Sequence, residues 1–221
     1  MNKDEVMSQL EALGSEKVRE MHARHGACEN QFGVKMGDLR TLAKSIKLNH
    51  SLALELWQTG NLDAMLLATL LMRPKEFSLE ELDAMVAALT SSLLADWLGT
   101  HVIKLHPQKE QLRQRWMQSD QPMTQRAGWS LTTERIIKSP QGLDLAALLD
   151  RIEAELGSAP ALAQWTMNYS LAEIGIHFPE HRERALAIGE KLGVFRDYPT
   201  PKGCTSPYAP LWIAVIVNRQ G

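Results

Sequence analysis

Several stretches of the chain place chemically able side chains at helical spacing. In Gln125-Arg126-Ala127-Gly128-Trp129 an arginine precedes a tryptophan by three residues, so on a helix both project from one face. A guanidinium offers a planar fork of donors that matches phosphate oxygens, and a ring beside it could stack on a guanidinium or a sugar. The same pair would serve without any ligand, as an arginine stem laid over a core ring. Trp165, Tyr169 and Glu173 follow at intervals of four and form one stripe. Such a stripe reads either as core packing or as a stacking platform that ends in a carboxylate. Trp97 and His101 are also four apart and share a helix face.

Metal and thiol chemistry has less to build on. His22, His25 and Cys28 recur every three residues, with Cys204 as a remote fourth ligand, but zinc sites usually declare paired Cys or His motifs. His177 and His181 would share a helix face were Pro179 not between them. Cys204 follows Lys202 in Lys202-Gly203-Cys204-Thr205, yet no partner base is evident, so a structural or incidental cysteine is the simpler reading. No glycine-rich loop cradles a phosphate. The expectation is no metal and no cofactor.

The elements that must position these side chains read as helices. Leu39, Leu42, Ala43 and Ile46 gather on one face, as do Leu145, Leu148, Leu149, Ile152 and Leu156, after which Gly157 offers a left-handed stop. Ala185, Ile188, Gly189 and Leu192 repeat the pattern before Gly193. Ser78 with Glu81 forms a capping box, and Pro122, Pro160 and Pro179 sit where helices should begin. No alternating strand is visible, so the class is all-α. Amphipathic helices this short cannot bury their faces alone, which implies paired, stacked helices. A strict repeat period is missing, so an irregular bundle stays open beside a solenoid. Residues 194–221 differ in character. The prolines between Phe195 and Pro210 forbid a continuous helix, so this part reads as a Pro-rich strap anchored by a final helix from Leu211 to Val217.

Composition narrows the class further. A chain of 221 residues with 44% hydrophobic and 23% charged residues matches a globular domain able to bury a real core. The N-terminus lacks an apolar signal core and no run is long enough for a membrane span, so a cytoplasmic protein without membrane contact is expected. Two isolated cysteines fit a reducing compartment. The net charge of −2 does not announce a nucleic-acid binder, but its distribution is blocked. Residues 17–47 carry seven basic and three acidic residues, residues 48–100 two and seven, and residues 101–140 seven and three. Alternating blocks could line one side of a stacked array with cations for phosphates, or could be ordinary solvated faces.

Phe32-Gly33-Val34-Lys35, Leu39-Arg40, Trp57, Asp63, the stretch Trp97 to His101, Arg126-Ala127 and Asn168-Tyr169-Ser170-Leu171 carry a resemblance. In that order on a helical background, over most of residues 20–175, the chain resembles the DNA alkylation repair glycosylases of the AlkD type. The resemblance implies a HEAT-like repeat array of antiparallel helix pairs, a curved α-solenoid over residues 1–193. It implies a duplex DNA partner held in a basic groove, and removal of cationic alkylated purines from N3 or N7. It places the aromatic of the excision site on Trp97 and the carboxylate position on His101, a departure from the family pattern. It also places a DNA-gripping arginine on Arg126 and a second aromatic on Tyr169. Beside these, Trp129 shares the face of Arg126, and Lys104, Arg113, Arg115, Arg135 and Lys138 are candidate secondary contacts to the DNA backbone. A neutral imidazole can hydrogen-bond a water, whereas an imidazolium would repel an oxocarbenium ion. Asp96 is the nearest carboxylate but points about 100° away on a helix, and Glu173 is a conceivable substitute. The expectation is a monomeric DNA-binding protein that is glycosylase-like, whether or not it acts as an enzyme. A non-catalytic binder of damaged or branched DNA and a helical protein–protein scaffold are the alternatives.

Overall fold

Several helices in this chain start where a side chain takes over an unpaired backbone N–H, and others start at a proline. A computed structural model describes residues 1–23 and 27–220, the side chain of Gln220 excepted, and among them there are thirteen α-helices and no strand. Asn2 and Ser78 open α1 (Lys3–Ala12) and α6 (Leu79–Ala87) with reciprocal capping boxes to Glu5 and Glu81. Pro122 and Pro179 are the first residues of α9 (Pro122–Lys138) and α12 (Pro179–Leu192), where a missing N–H costs nothing, and Pro160 precedes α11 (Ala161–His177) as its cap. Gly193 ends α12 in the left-handed conformation at φ 62°. Gly157 does not play the same part. α10 (Leu145–Glu155) closes on a right-handed Leu156, and the amide of Ala159 reaches back to the Glu155 carbonyl, so no left-handed residue is needed there.

The chain divides into two compact units, residues 1–109 and 110–221. In the first, α5 (Leu62–Leu71) is apolar all round and buried on nearly every side. A helix without an amphipathic stripe belongs at the centre. It is covered by α3 (Met36–Ile46), α4 (His50–Trp57) and α7 (Ser92–His101), the short connection after α4 folding α5 back against it. Asp63 at the start of α5 is fully buried. Its carboxylate accepts the amides of Phe32 at 2.6 Å, Gly33 at 3.0 Å and Val34 at 2.9 Å, and so clasps the segment that leads into α3. Gly33 sits at φ 79°, and a Cβ there would lie 2.4 Å from the Ser15 carbonyl, so only glycine fits. The unit also contains α2 (Glu16–Ala23).

In the second unit α11 is central, packed by α9, α12 and α13 (Ala209–Gln220), with α8 (Lys109–Trp116) ahead of them. The tail runs along α11. Phe195 and Tyr198 meet Trp165 edge-on or tilted at 5.3 and 5.6 Å, and Asn168 donates to the Pro207 carbonyl at 2.8 Å. α13 is longer than the apolar run alone suggested. Ile213 enters the core, against Gly175 on α11, where a Cβ would lie 2.5 Å from its Cδ1. No helix among the described residues is long and apolar enough to cross a membrane.

Candidate functional site

The end of α7 carries the most suggestive cluster. Trp97 is largely buried, and its ring meets the His101 imidazole edge-on at 5.3 Å, the spacing of four having put both on one face. Arg40 reaches across from α3 and lays its guanidinium 5.0 Å above the Trp97 ring. Burial pushes the His101 pKa below its usual value and the neighbouring Arg40 charge pushes it the same way, so the imidazole is neutral near pH 7. Asp96 is exposed, one residue round the helix from Trp97. The position beside Trp97 therefore holds an imidazole and a guanidinium. Four and seven residues beyond Arg40, Lys44 and Lys47 continue along α3, Lys47 closing it at φ 65°. Together with His101 these cations line a shallow cleft of about 350 Å³, and His101 also borders a larger one of about 470 Å³.

The second unit uses its aromatic and basic residues differently. Arg126 is 5% exposed, and its Nη1 donates to the Leu162 carbonyl at 3.1 Å, tying α9 to the first turn of α11. Trp129 is 1% exposed, and the guanidinium over its ring, at 5.4 Å, belongs to Arg151 and not to Arg126. Tyr169 is half-buried and edge-on to Trp212 at 4.8 Å. One helical turn on, Glu173 meets His177 at 3.0 Å. Burial raises the Glu173 pKa in spite of that partner, and burial with the Glu173 charge raises that of Tyr169. The two aromatics of the stripe, Trp165 and Tyr169, are thus packed by residues of the tail.

The backbone-contact candidates divide in the same way. Arg113 holds Glu110 at 2.7 and 2.9 Å, and Arg135 holds the same carboxylate and the Gln141 carbonyl. Arg113, first, and then Arg135 keep the Glu110 carboxyl below the usual carboxylate range. Lys138 pairs with Glu134 at 2.9 Å. Arg115 is exposed on the last turn of α8, and Lys104 is part-buried. The structure brings Trp97 and His101 together, whereas Arg126 and Trp129 share α9 but are both enclosed. Arg40, Lys44 and Lys47 were not singled out by sequence as a cationic face. The i, i+4, i+7 spacing was the available signal, and Arg40 already stood in one of the resembling stretches.

No group of three His, Cys, Asp or Glu side chains among the described residues comes together as a metal site. His22 is buried with its Nδ1 against the Gln31 amide oxygen, His25 lies outside the described residues, and Cys28 and Cys204 are exposed free thiols.

Comparison with known proteins agrees with this architecture. The chain matches the DNA alkylation repair enzyme family over residues 6–213. Two uncharacterized proteins, from Listeria innocua and Listeria monocytogenes, are 27% and 26% identical, each over 98% of this chain and 97% of the relative. A solved structure described as a new family related to the HEAT-like repeat DNA glycosylases, with affinity for branched DNA structures, superposes with a TM-score of 0.84. It is 26% identical, and the match covers 100% of this chain and 95% of that one. The chain belongs to the DNA alkylation repair enzyme family and has the all-α, HEAT-like fold.

Proposed function

We propose that this member of the DNA alkylation repair family binds duplex and branched DNA through the phosphate backbone, and that base excision is not its main activity. The reading rests on one observation. Where the resemblance implies a carboxylate beside Trp97, the chain carries His101, edge-on to the Trp97 ring over which Arg40 lays its guanidinium. An excision site must stabilise the positive charge that develops on the sugar as the base leaves, and a preorganised carboxylate does this best. A neutral imidazole gives little such help, and a guanidinium close by opposes it. Both groups suit a phosphate, which accepts hydrogen bonds and carries the opposite charge. The relative's affinity for branched DNA fits the same chemistry, since holding phosphates requires no carboxylate. The protein is proposed to act as a monomer in the cytoplasm.

The test combines two measurements in the same tubes. Excess protein is incubated with a duplex carrying 7-methylguanine under single-turnover conditions, and binding to plain duplex and to a three-way junction is followed against salt. Expected are salt-sensitive binding, tighter on the junction, and base release at the spontaneous rate. Release above that rate would restore the alkylpurine glycosylase reading, with Glu173 or Asp96 to be tried by substitution. Absence of DNA affinity even at low salt would remove both readings and leave the protein–protein scaffold. His101→Asp adds a finer discrimination: gain of release would reveal an excision frame that lacks only its carboxylate.

A further inference from the structure

The two clefts that meet at His101 have features that backbone binding does not use. They share Leu48, Leu70 and His101, so they are two lobes of one depression in the first unit. At about 470 and 350 Å³ each lobe lies in the range of sites that take small ligands, roughly 300–1,000 Å³. The floor is apolar. Leu48 is 61% exposed and Leu105 is 62% exposed, so two leucines that line the larger lobe with His101 are left to water.

The rim is cationic. Arg40, Lys44 and Lys47 border one lobe, and Arg73 and Lys75 border the other. Glu76 is the acidic residue of the lining, and it is already held by Arg73 at 3.0 Å and faces His50 at 3.7 Å. Among the described residues no ion pair engages Arg40, Lys44, Lys47 or Lys75. An apolar floor with Arg40, Lys44 and Lys47 on one side and Lys75 on the other, none of them in an ion pair among the described residues, is complementary to a ligand that is apolar in the middle and anionic on both sides. A nucleotide within a strand has that form. In a duplex, however, the base faces are stacked away and cannot reach such a floor, so the nucleotide must be unpaired.

We infer that this depression receives an unpaired nucleotide at the branch point of a DNA junction or flap, its base on Leu48, Leu70 and Leu105 beside His101 and its flanking phosphates on the rim cations. The inference rests on the DNA-binding reading above and gives it a reason for preferring branched shapes. A duplex offers the rim its phosphates but leaves the floor uncovered. A branch fills both.

The probe is a flap duplex with 2-aminopurine placed in turn at each unpaired position next to the junction and at paired control positions. In complex with the full protein, fluorescence should change at one or two unpaired positions and stay constant at the paired ones. Leu48→Ser and Leu105→Ser, both at exposed positions, should abolish that response and weaken flap binding by about tenfold, the effect of uncovering one leucine, while duplex affinity is unchanged. The assignment falls if no unpaired position responds in the bound complex, the result expected were the cleft to take an acidic amphipathic protein segment instead. It also falls if the variants weaken flap and duplex equally. Wild-type protein that binds flap and duplex alike without a response loses only the cleft, whereas protein that binds neither loses the DNA reading itself.

Discussion

Around Trp97 in the first unit, Arg40, Lys44 and Lys47 stand along α3 with no ion pair among the described residues, while in the second unit Glu110 holds both Arg113 and Arg135, Glu134 holds Lys138, and Glu153 holds Lys191. Arg151 and Arg184 are likewise occupied, by Glu155 and by Asp150. By composition residues 17–47 and 101–140 are equals, seven cations to three acids in each, although Lys104 and Lys109 of the latter belong to the first unit. Their capacity to bind phosphate is not equal. A cation already paired must give up a charge-assisted hydrogen bond before it can take a phosphate, whereas an unpaired one releases only water and counterions. Which acid each cation meets in the fold therefore matters more than how many cations the segment holds.

The comparison is broken most directly at the open face. Replacing Lys44 and Lys47 together by alanine should lower DNA affinity on the order of tenfold or more and reduce the salt slope by about two, since each phosphate contact contributes about 0.9. Filter binding between low and moderate salt reads both quantities, and an unchanged slope would mean that the α3 face does not meet DNA. The next effect is on stability. Arg126→Ala leaves the Leu162 carbonyl without its donor in a partly buried place and should cost about 1 kcal/mol, seen as a lower denaturation midpoint, with the DNA salt slope preserved. A flattened slope at unchanged stability would instead return Arg126 to the phosphate face. The smallest effect sharpens the contrast. Glu110→Gln releases two guanidinium groups and should raise DNA affinity a few-fold, about the gain expected for one added phosphate contact. The Glu110 carboxyl is held below its usual pKa, so its pairing stabilises the fold above the ordinary carboxylate range and is lost as pH falls through the depressed value. The stability difference between wild type and Glu110→Gln should accordingly close in acid. A constant difference across pH would show that the pairing contributes nothing.

Much of the local structure was legible because its causes are local. The capping box of Ser78 and Glu81, the prolines at helix starts and the left-handed Gly193 depend on neighbours within a few residues, and each formed as the spacing indicated. Gly157 shows the limit of that reasoning. A glycine after an apolar run permits a left-handed stop but does not compel one, and here a reverse turn closed the helix first. The site was legible in part for the same reason. Trp97 and His101 meet because a spacing of four on a helix brings any two side chains together. Arg126 and Trp129 also share a face, yet that face turned inward, and the ring took its guanidinium from Arg151, on another helix.

By itself the sequence determined the helices, most of the caps it was read for, the all-α class and the family, since periodicity, capping chemistry and a scatter of matched residues are all written along one dimension. Tertiary structure alone decided which cations stay open. It set Arg40 over Trp97 from a helix more than fifty residues away, closed Glu110 onto two arginines, and turned Asp63, one residue among several in the resemblance, into the clasp of the Phe32-Gly33-Val34 segment. The physical reason is that burial and ion pairing depend on distances across the fold. Such distances follow from the packing of whole helices and are not encoded in the spacing of residues along any one of them.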